Sequence, residues 1–250
     1  MFLQISAFSQ ALGHAVQVNV LLPQVAEGET FRTLWLLHGL SDDHSAWMRY
    51  SSIERHAAAH GLAVVMPNAD RSWYSDTAYG ARYFSYITDE LPTLLRGSFK
   101  GMSAAREDNL VAGLSMGGYG ALKLALTYPE RYGACIALSS AADINRKGRP
   151  FNEAEWKGIF GYDVTSAADL VGSKHDLFAL AAQCAQQGRE IPCLHIWCGT
   201  EDFLLEENRA FHAHLTQLGL PHTYEESEGN HSWKWWDLHI EDGLRRVLQA

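Results

Sequence analysis

The sequence predicts an α/β fold, with a mostly parallel central sheet and helices packed on both faces. Two observations carry that expectation. Short apolar runs at Thr33–Leu37, Leu62–Met66, Leu110–Ala112, Tyr132–Leu138 and Pro192–Cys198 alternate with helical patterns, as buried parallel strands do when helices connect them. One of these runs leads through Gly113-Leu114-Ser115-Met116-Gly117 straight into a helical pattern. That is the G-x-S-x-G turn that presents a serine hydroxyl at the end of a sheet.

Composition bounds the rest. The 250 residues, 47% of them hydrophobic and 20% charged, suffice for one substantial core, and no Pro/Gly/Ser-rich linker divides the chain. A single domain spanning 1–250 is expected. The formal net charge of −9 provides no basic surface for nucleic acid or anionic membrane. No apolar run reaches transmembrane length, and Met1–Ser6 lacks the basic and apolar regions of a signal peptide. Cys135, Cys184, Cys193 and Cys198 read as free thiols, so a cytoplasmic location is expected.

Taken in order, Val16–Leu22 alternates and stops at Pro23, which reads as an edge-type antiparallel strand. Thr33–Leu37 is a buried strand ending in His38-Gly39-Leu40-Ser41. A glycine there lets backbone approach a ligand, which makes the Leu40 N–H a candidate oxyanion donor. A plain strand-to-helix turn fits the same residues. Ala46–His60 reads as one helix closed by Gly61, and the next buried strand runs from Leu62 to Met66 before Pro67. His56 and His60 share a helix face without an evident third metal ligand.

The loop Asn68–Tyr74 follows a strand end, where open α/β sheets bind ligands. Trp73 and Tyr74 are therefore candidate pocket residues, beside an Asp70–Arg71 pair that would pin the loop. Gly80–Phe99 is mostly helical, with Pro92 kinking it or opening a second segment. A helix runs from Met116 to about Tyr128, and its free N-terminal N–H groups favour an anion, so Met116 is a second candidate oxyanion donor. Residues 139–173, including Arg146–Pro150, lose periodicity, and an insertion of that size commonly caps a site. Asp176–Gln187 is helical. Pro192–Cys198 is a strand followed by the Gly199–Asp202 turn. Phe203–Leu218 is helical, His222–Glu226 is a short strand, and the turn Glu228–Trp233, which contains His231, precedes a Trp-rich helix. His212 and His214 lie about 200° apart on their helix and do not share a ligand.

Ser115, an acid at Glu201 or Asp202, and His231 all fall in strand-end loops, in the order serine, acid, histidine. His231 stands out among twelve histidines because it follows the last strand and is preceded by Gly229 and Asn230. Serine needs a base to take its proton, and the base needs a carboxylate to fix its tautomer.

The segments His38–Ser41, Pro67–Tyr74, Ala112–Gly120 and His231–Trp233 together resemble the putative-esterase family of α/β-hydrolases. The likeness is to bacterial tributyrin-type carboxylesterases, whose relatives include S-formylglutathione hydrolases, feruloyl esterases and mycolyltransferases. The resemblance implies an α/β-hydrolase fold and a Ser115–His231–Asp202 triad. It further implies Leu40 and Met116 as oxyanion donors, short acyl esters as substrates and no cofactor. A serine carboxylesterase is therefore expected, with a thioesterase such as S-formylglutathione hydrolase as the alternative and a non-catalytic hydrolase-fold binding protein as a third reading. Ser41-Asp42-Asp43 stands where S-formylglutathione hydrolases carry threonine and cysteine, which weighs against the thioesterase. Homo-oligomerisation is left open.

Overall fold

Four central segments in which every residue is buried determine the architecture, because each must be covered on both faces. A computed structural model describes residues 1–145 and 152–249. The expected segment Arg146–Pro150 lies outside the described residues. The strands are β1 (Phe2–Ser9), β2 (His14–Leu21), β3 (Thr33–Leu37), β4 (Ala63–Pro67), β5 (Asn109–Leu114), β6 (Ala134–Leu138), β7 (Cys193–Gly199) and β8 (His222–Ser227). They form one sheet in the order β1-β2-β4-β3-β5-β6-β7-β8. β3 to β8 are mutually parallel, while β2 pairs antiparallel with β1 and β4.

The helices are α1 (Ala46–Tyr50), α2 (Ile53–His60), α3 (Tyr83–Ser85), α4 (Leu91–Ser98), α5 (Met116–Thr127), α6 (Glu153–Phe160), α7 (Leu177–Gln186), α8 (Leu205–Gln217) and α9 (Trp233–Gln249). Side chains alternate across the sheet. Leu34, Leu36 and Ala112 face a core formed with α1, α2 and α9, while Trp35, Leu37 and Val111 face the larger core formed with α4, α5, α7 and α8. Among the described residues no helix is long and apolar enough to cross a membrane.

Three expectations change. β2 is not an edge: β1 pairs along its whole length, from Phe2↔Leu21 to Ser9↔His14. β1 shows only a half-buried alternation, so it carries little apolar signal. The expected helix Ala46–His60 is two helices. The Asp237 carboxylate accepts from Ser52 N (2.6 Å) and Oγ (3.1 Å), supplying acceptors at the start of α2. The Asp70–Arg71 pair is absent: Asp70 accepts from Asn68 Nδ2 and the Tyr83 hydroxyl, whereas Arg71 pairs with Glu155. The Gly80–Phe99 region does divide, passing from α3 through a π-helical turn at Tyr86–Glu90 into α4, with Pro92 in its first turn.

The chain reverses direction across the sheet at β3. β4 lies on one side of it and β5 on the other, with Leu37 opposite Gly113. A crevice forms outside the strand ends at such a switch point, and the loops after β3 and β5 border it.

Four histidines, His38, His175, His195 and His239, are buried inside this fold, and the first three bear on its pH stability. Burial is the leading cause that pushes His38 down from its ordinary value, His195 to about 4 and His175 to about 2. Each binds its proton more weakly folded than unfolded. Their stabilising contribution is therefore present above the unfolded value, about 6.5, and is lost as pH falls below it. We predict a thermal midpoint that is level above about pH 7 and drops from about pH 6.5 towards 4, each histidine costing up to about 1.4 kcal/mol per pH unit. A midpoint unchanged between pH 7 and pH 4.5 in calorimetry would contradict it.

Candidate active site

β5 ends at Leu114, and the chain turns into α5 through Ser115, whose backbone is left-handed at φ 53°, ψ −118°. A non-glycine residue holds such a conformation at a cost, so its surroundings must enforce it. Ser115 N donates to Leu138 O at 2.9 Å, and Ser115 O accepts from Ala141 N at 3.1 Å, fixing the turn to β6. The flanking glycines are there for closeness. A Cβ on Gly113 would lie 2.3 Å from Gly117 O, and one on Gly117 would lie 2.4 Å from Leu37 O.

The loops after β7 and β8 bring two side chains to this serine. Asp202 is 5% exposed, and its Oδ1 accepts from Leu204 N at 2.9 Å. His231 sits with its ring centre 4.5 Å from that of Phe203 and 4.8 Å, edge-on, from that of Trp236. His231 Nδ1 lies 2.9 Å from Asp202 Oδ2, and Nε2 lies 3.0 Å from Ser115 Oγ. A neutral imidazole fits both contacts by donating Nδ1–H to the carboxylate and accepting the serine proton at Nε2. Burial by itself pushes the Asp202 carboxyl up. The hydrogen bond and charge of His231, with the Leu204 N–H and the Ser139 hydroxyl, more than offset it and leave Asp202 below its ordinary value. Glu201, the sequence alternative, uses its backbone N–H to bind Gly229 O at 2.8 Å. The acid in contact with His231 is Asp202.

Ser115 opens into a cavity of about 440 Å³ that Leu40, Trp73, Met116, Trp156 and Leu204 also line. Leu40 follows β3 and Met116 opens α5, so both backbones reach the serine's side of the crevice. Arg71 and Glu155 stand in the same lining, joined by two hydrogen bonds of 2.6 and 3.1 Å.

The sequence profile of the esterase family described as "Putative esterase" matches residues 9–247. The chain belongs to that family. It is 31% identical to an acetyl esterase of Caldicellulosiruptor saccharolyticus over 95% of this chain and 94% of that one. Among solved structures it resembles FphF, a fluorophosphonate-binding serine hydrolase of Staphylococcus aureus, with a TM-score of 0.92 and 34% identity over 99% of this chain and 98% of that one. It also resembles the S-formylglutathione hydrolase FrmB of Staphylococcus aureus, with a TM-score of 0.88 and 32% identity over 99% and 98% of the two chains. It is an α/β-hydrolase and a carboxylic ester hydrolase.

Within this esterase, the two aromatic pocket candidates part company. Trp73 lines the cavity, but Tyr74 does not. Both residues have positive φ, 50° and 47°, and the turn sends the Tyr74 side chain into the core. There its hydroxyl donates to His38 O at 2.8 Å and its ring occupies the space a Cβ on Gly120 would need. His38 is structural as expected: Nε2 accepts from Ala69 N, which leaves Nδ1–H to donate to Gly39 O. Sequence reasoning missed Trp156, Phe203 and Leu204. The last two adjoin Asp202 in sequence and were open to inference, whereas Trp156 lies in an aperiodic stretch.

The other polar candidates lie outside the cavity. His56 and His60 face Asp237 and Glu241 of α9 at 3.0–3.3 Å, as hydrogen-bonding partners of those carboxylates. Among the described residues no group of three histidine, cysteine or acidic side chains is arranged to hold a metal. His212 meets His222, and His214 meets Phe178 O, so the two do not converge. Cys193 is exposed and Cys198 buried, on opposite faces of β7.

The elbow's tightness gives a direct test. Gly113→Ala should cost roughly 1–3 kcal/mol of stability through the clash with Gly117 backbone. A denaturation midpoint equal to that of the unaltered protein would show that the turn has slack.

Proposed function

We propose that this esterase hydrolyses short-chain acyl esters through an acyl-enzyme on Ser115. The observation that carries the reading is the continuous hydrogen-bonded path from Ser115 Oγ through His231 to Asp202, opening into the 440 Å³ cavity. His231 Nε2 takes the hydroxyl proton as Oγ attacks the carbonyl carbon, and the carbonyl π-electrons move onto oxygen. The Leu40 and Met116 N–H groups stabilise that oxyanion, an effect commonly worth about 3–4 kcal/mol per donor. Collapse breaks the bond to the alcohol, which leaves with the proton from His231. Water then repeats the sequence and releases the acid. Asp202 stays ionised throughout and stabilises the imidazolium.

The wall of the cavity sets the acyl preference. Trp73 and Trp156 bring bulky rings with centres 6.1 Å apart to the same side of the pocket. The described residues of the 139–173 stretch serve as a partial cap within a single domain, since Ala141, Asn152, Glu155 and Trp156 all line the cavity. Free cysteines, three of them buried, suit a cytoplasmic enzyme. A second reading, a thioesterase acting on S-formylglutathione, draws support from the likeness to FrmB. It uses the same machinery with a thiol leaving group.

Ser115→Ala should fold normally and lose roughly 10⁴–10⁶-fold in kcat on p-nitrophenyl acetate. Asp202→Asn should lose about 10⁴-fold, because the amide favours the wrong histidine tautomer, while Glu201→Gln should change little. Near-normal turnover in Ser115→Ala would refute the nucleophile, and a larger loss in Glu201→Gln than in Asp202→Asn would move the acid.

Acetyl to butyryl esters should be preferred over acyl chains of eight or more carbons. Each methylene that fits contributes up to about 0.8 kcal/mol, and each one that clashes with the tryptophan wall reverses the sign. A steady rise of kcat/KM up to octanoate would refute the wall, and a much higher kcat/KM on S-formylglutathione than on any oxygen ester would favour the second reading.

A further inference from the structure

The helix that starts at the nucleophile also carries a buried lysine for which the ester chemistry has no use. Lys123 is seven residues, about two turns, beyond Met116 on α5 and is 3% exposed. Its Nζ donates to Tyr74 O at 3.1 Å and to Ser75 Oγ at 2.7 Å, and stands 3.2 Å from His175 Nδ1. Ser75 Oγ in turn donates to Trp73 O at 2.9 Å. The three ammonium hydrogens thus meet three neutral acceptors. Among the described residues no carboxylate pairs with this ammonium, since Asp76, the acid nearest in effect, accepts from Ser85 N and Oγ. Burial and the charge of Lys174 push the amine down to about 7, against an upward pull from Asp76.

The partners of this buried amine all belong to, or adjoin, one strained turn. Trp73 and Tyr74 are consecutive bulky residues at positive φ, a conformation that L side chains adopt only when surroundings impose it. Lys123 binds the carbonyl of the second and, through Ser75, the carbonyl of the first. The same helix supplies Tyr119, whose ring meets that of Trp73 edge-on at 5.5 Å and whose hydroxyl donates to His175 O at 2.8 Å. One helix therefore carries the nucleophile at its start and the grip on the pocket wall two turns later.

We propose that Lys123 is a positioning residue that determines acyl specificity: its amino group, as hydrogen-bond donor, fixes the left-handed Trp73–Tyr74 turn and so holds the Trp73 ring where it limits acyl length. This rests on Ser115 being the nucleophile, and the test separates the two. An apolar residue could fill the space of Lys123, but it would leave Tyr74 O and Ser75 Oγ without their donor.

The experiment measures kcat/KM for p-nitrophenyl acetate, butyrate, hexanoate and octanoate with the unaltered protein, Lys123→Met and Ser75→Ala. The fraction of Ser115 labelled by a small alkyl fluorophosphonate counts competent sites in each. In Lys123→Met the acetate-to-octanoate ratio should fall about tenfold or more, roughly two methylenes of apolar fit. The change should lie mainly in KM, with Ser115 labelled as fully as before, and Ser75→Ala should shift the ratio in the same direction by less. The ratio is independent of how much protein is folded, so lost stability alone does not move it. A ratio within about twofold of the original in Lys123→Met would overturn the proposal, and so would that result in Ser75→Ala if Lys123→Met does not fold. Failure of the fluorophosphonate to label Ser115 in the unaltered protein would overturn the nucleophile assignment itself.

Discussion

The left-handed backbone at Ser115 is the constraint to which the neighbouring sequence answers. A residue at φ 53° between a buried strand and a helix leaves no room for side chains on the turn, hence glycine at 113 and 117. The turn must also be held from outside, and the hydrogen bonds from Ser115 N to Leu138 O and from Ala141 N to Ser115 O do so. Because β6 and the loop that follows it supply these partners, the position of the hydroxyl depends on the parallel register of β5 with β6. The sheet is thereby part of the site. It also sets the distance to β7 and β8, whose ends carry Asp202 and His231.

Strain recurs in the loop after β4, where Asp70, Trp73 and Tyr74 all have positive φ. There the enforcing contacts come from other elements: Tyr83 on Asp70, His38 on the Tyr74 hydroxyl, and Lys123 on the Tyr74 carbonyl. The two strained segments meet on α5. Gly120 leaves space for the Tyr74 ring one turn after Ser115, and Lys123 follows within the next turn. Electrostatics around the site follow the same economy. Asp202 is kept ionised by donors, while His38 and His175 are kept neutral by burial.

Much of this was legible in the residues. Runs such as Thr33–Leu37 and Tyr132–Leu138 announce buried strands because two faces must be covered, and Gly113-x-Ser115-x-Gly117 announces its turn because little else tolerates that geometry. The structure brings Ser115, His231 and Asp202 within hydrogen-bonding distance, and sequence pattern alone left Glu201 in contention. What was not legible depends on partners distant in the chain. The break between α1 and α2 is made by Asp237, 185 residues from Ser52, and Arg71 finds Glu155, 84 residues away, rather than its neighbour Asp70. Tyr74 was misplaced because a side chain's direction reverses when the backbone turns left-handed, and pattern does not report φ. Lys123 did leave a signal, as a charge inside an apolar helix.

The central claim is that the ester's acyl group passes through Ser115, and locating that group tests it most directly. The protein would be mixed with p-nitrophenyl acetate, quenched in acid within a turnover and digested, and the acetyl group mapped by peptide mass spectrometry. The account predicts acetyl on Ser115, accumulating with the burst of nitrophenol and absent from Ser115→Ala. Turnover that proceeds with no acetylated residue, or with acetyl on any other side chain, would contradict it.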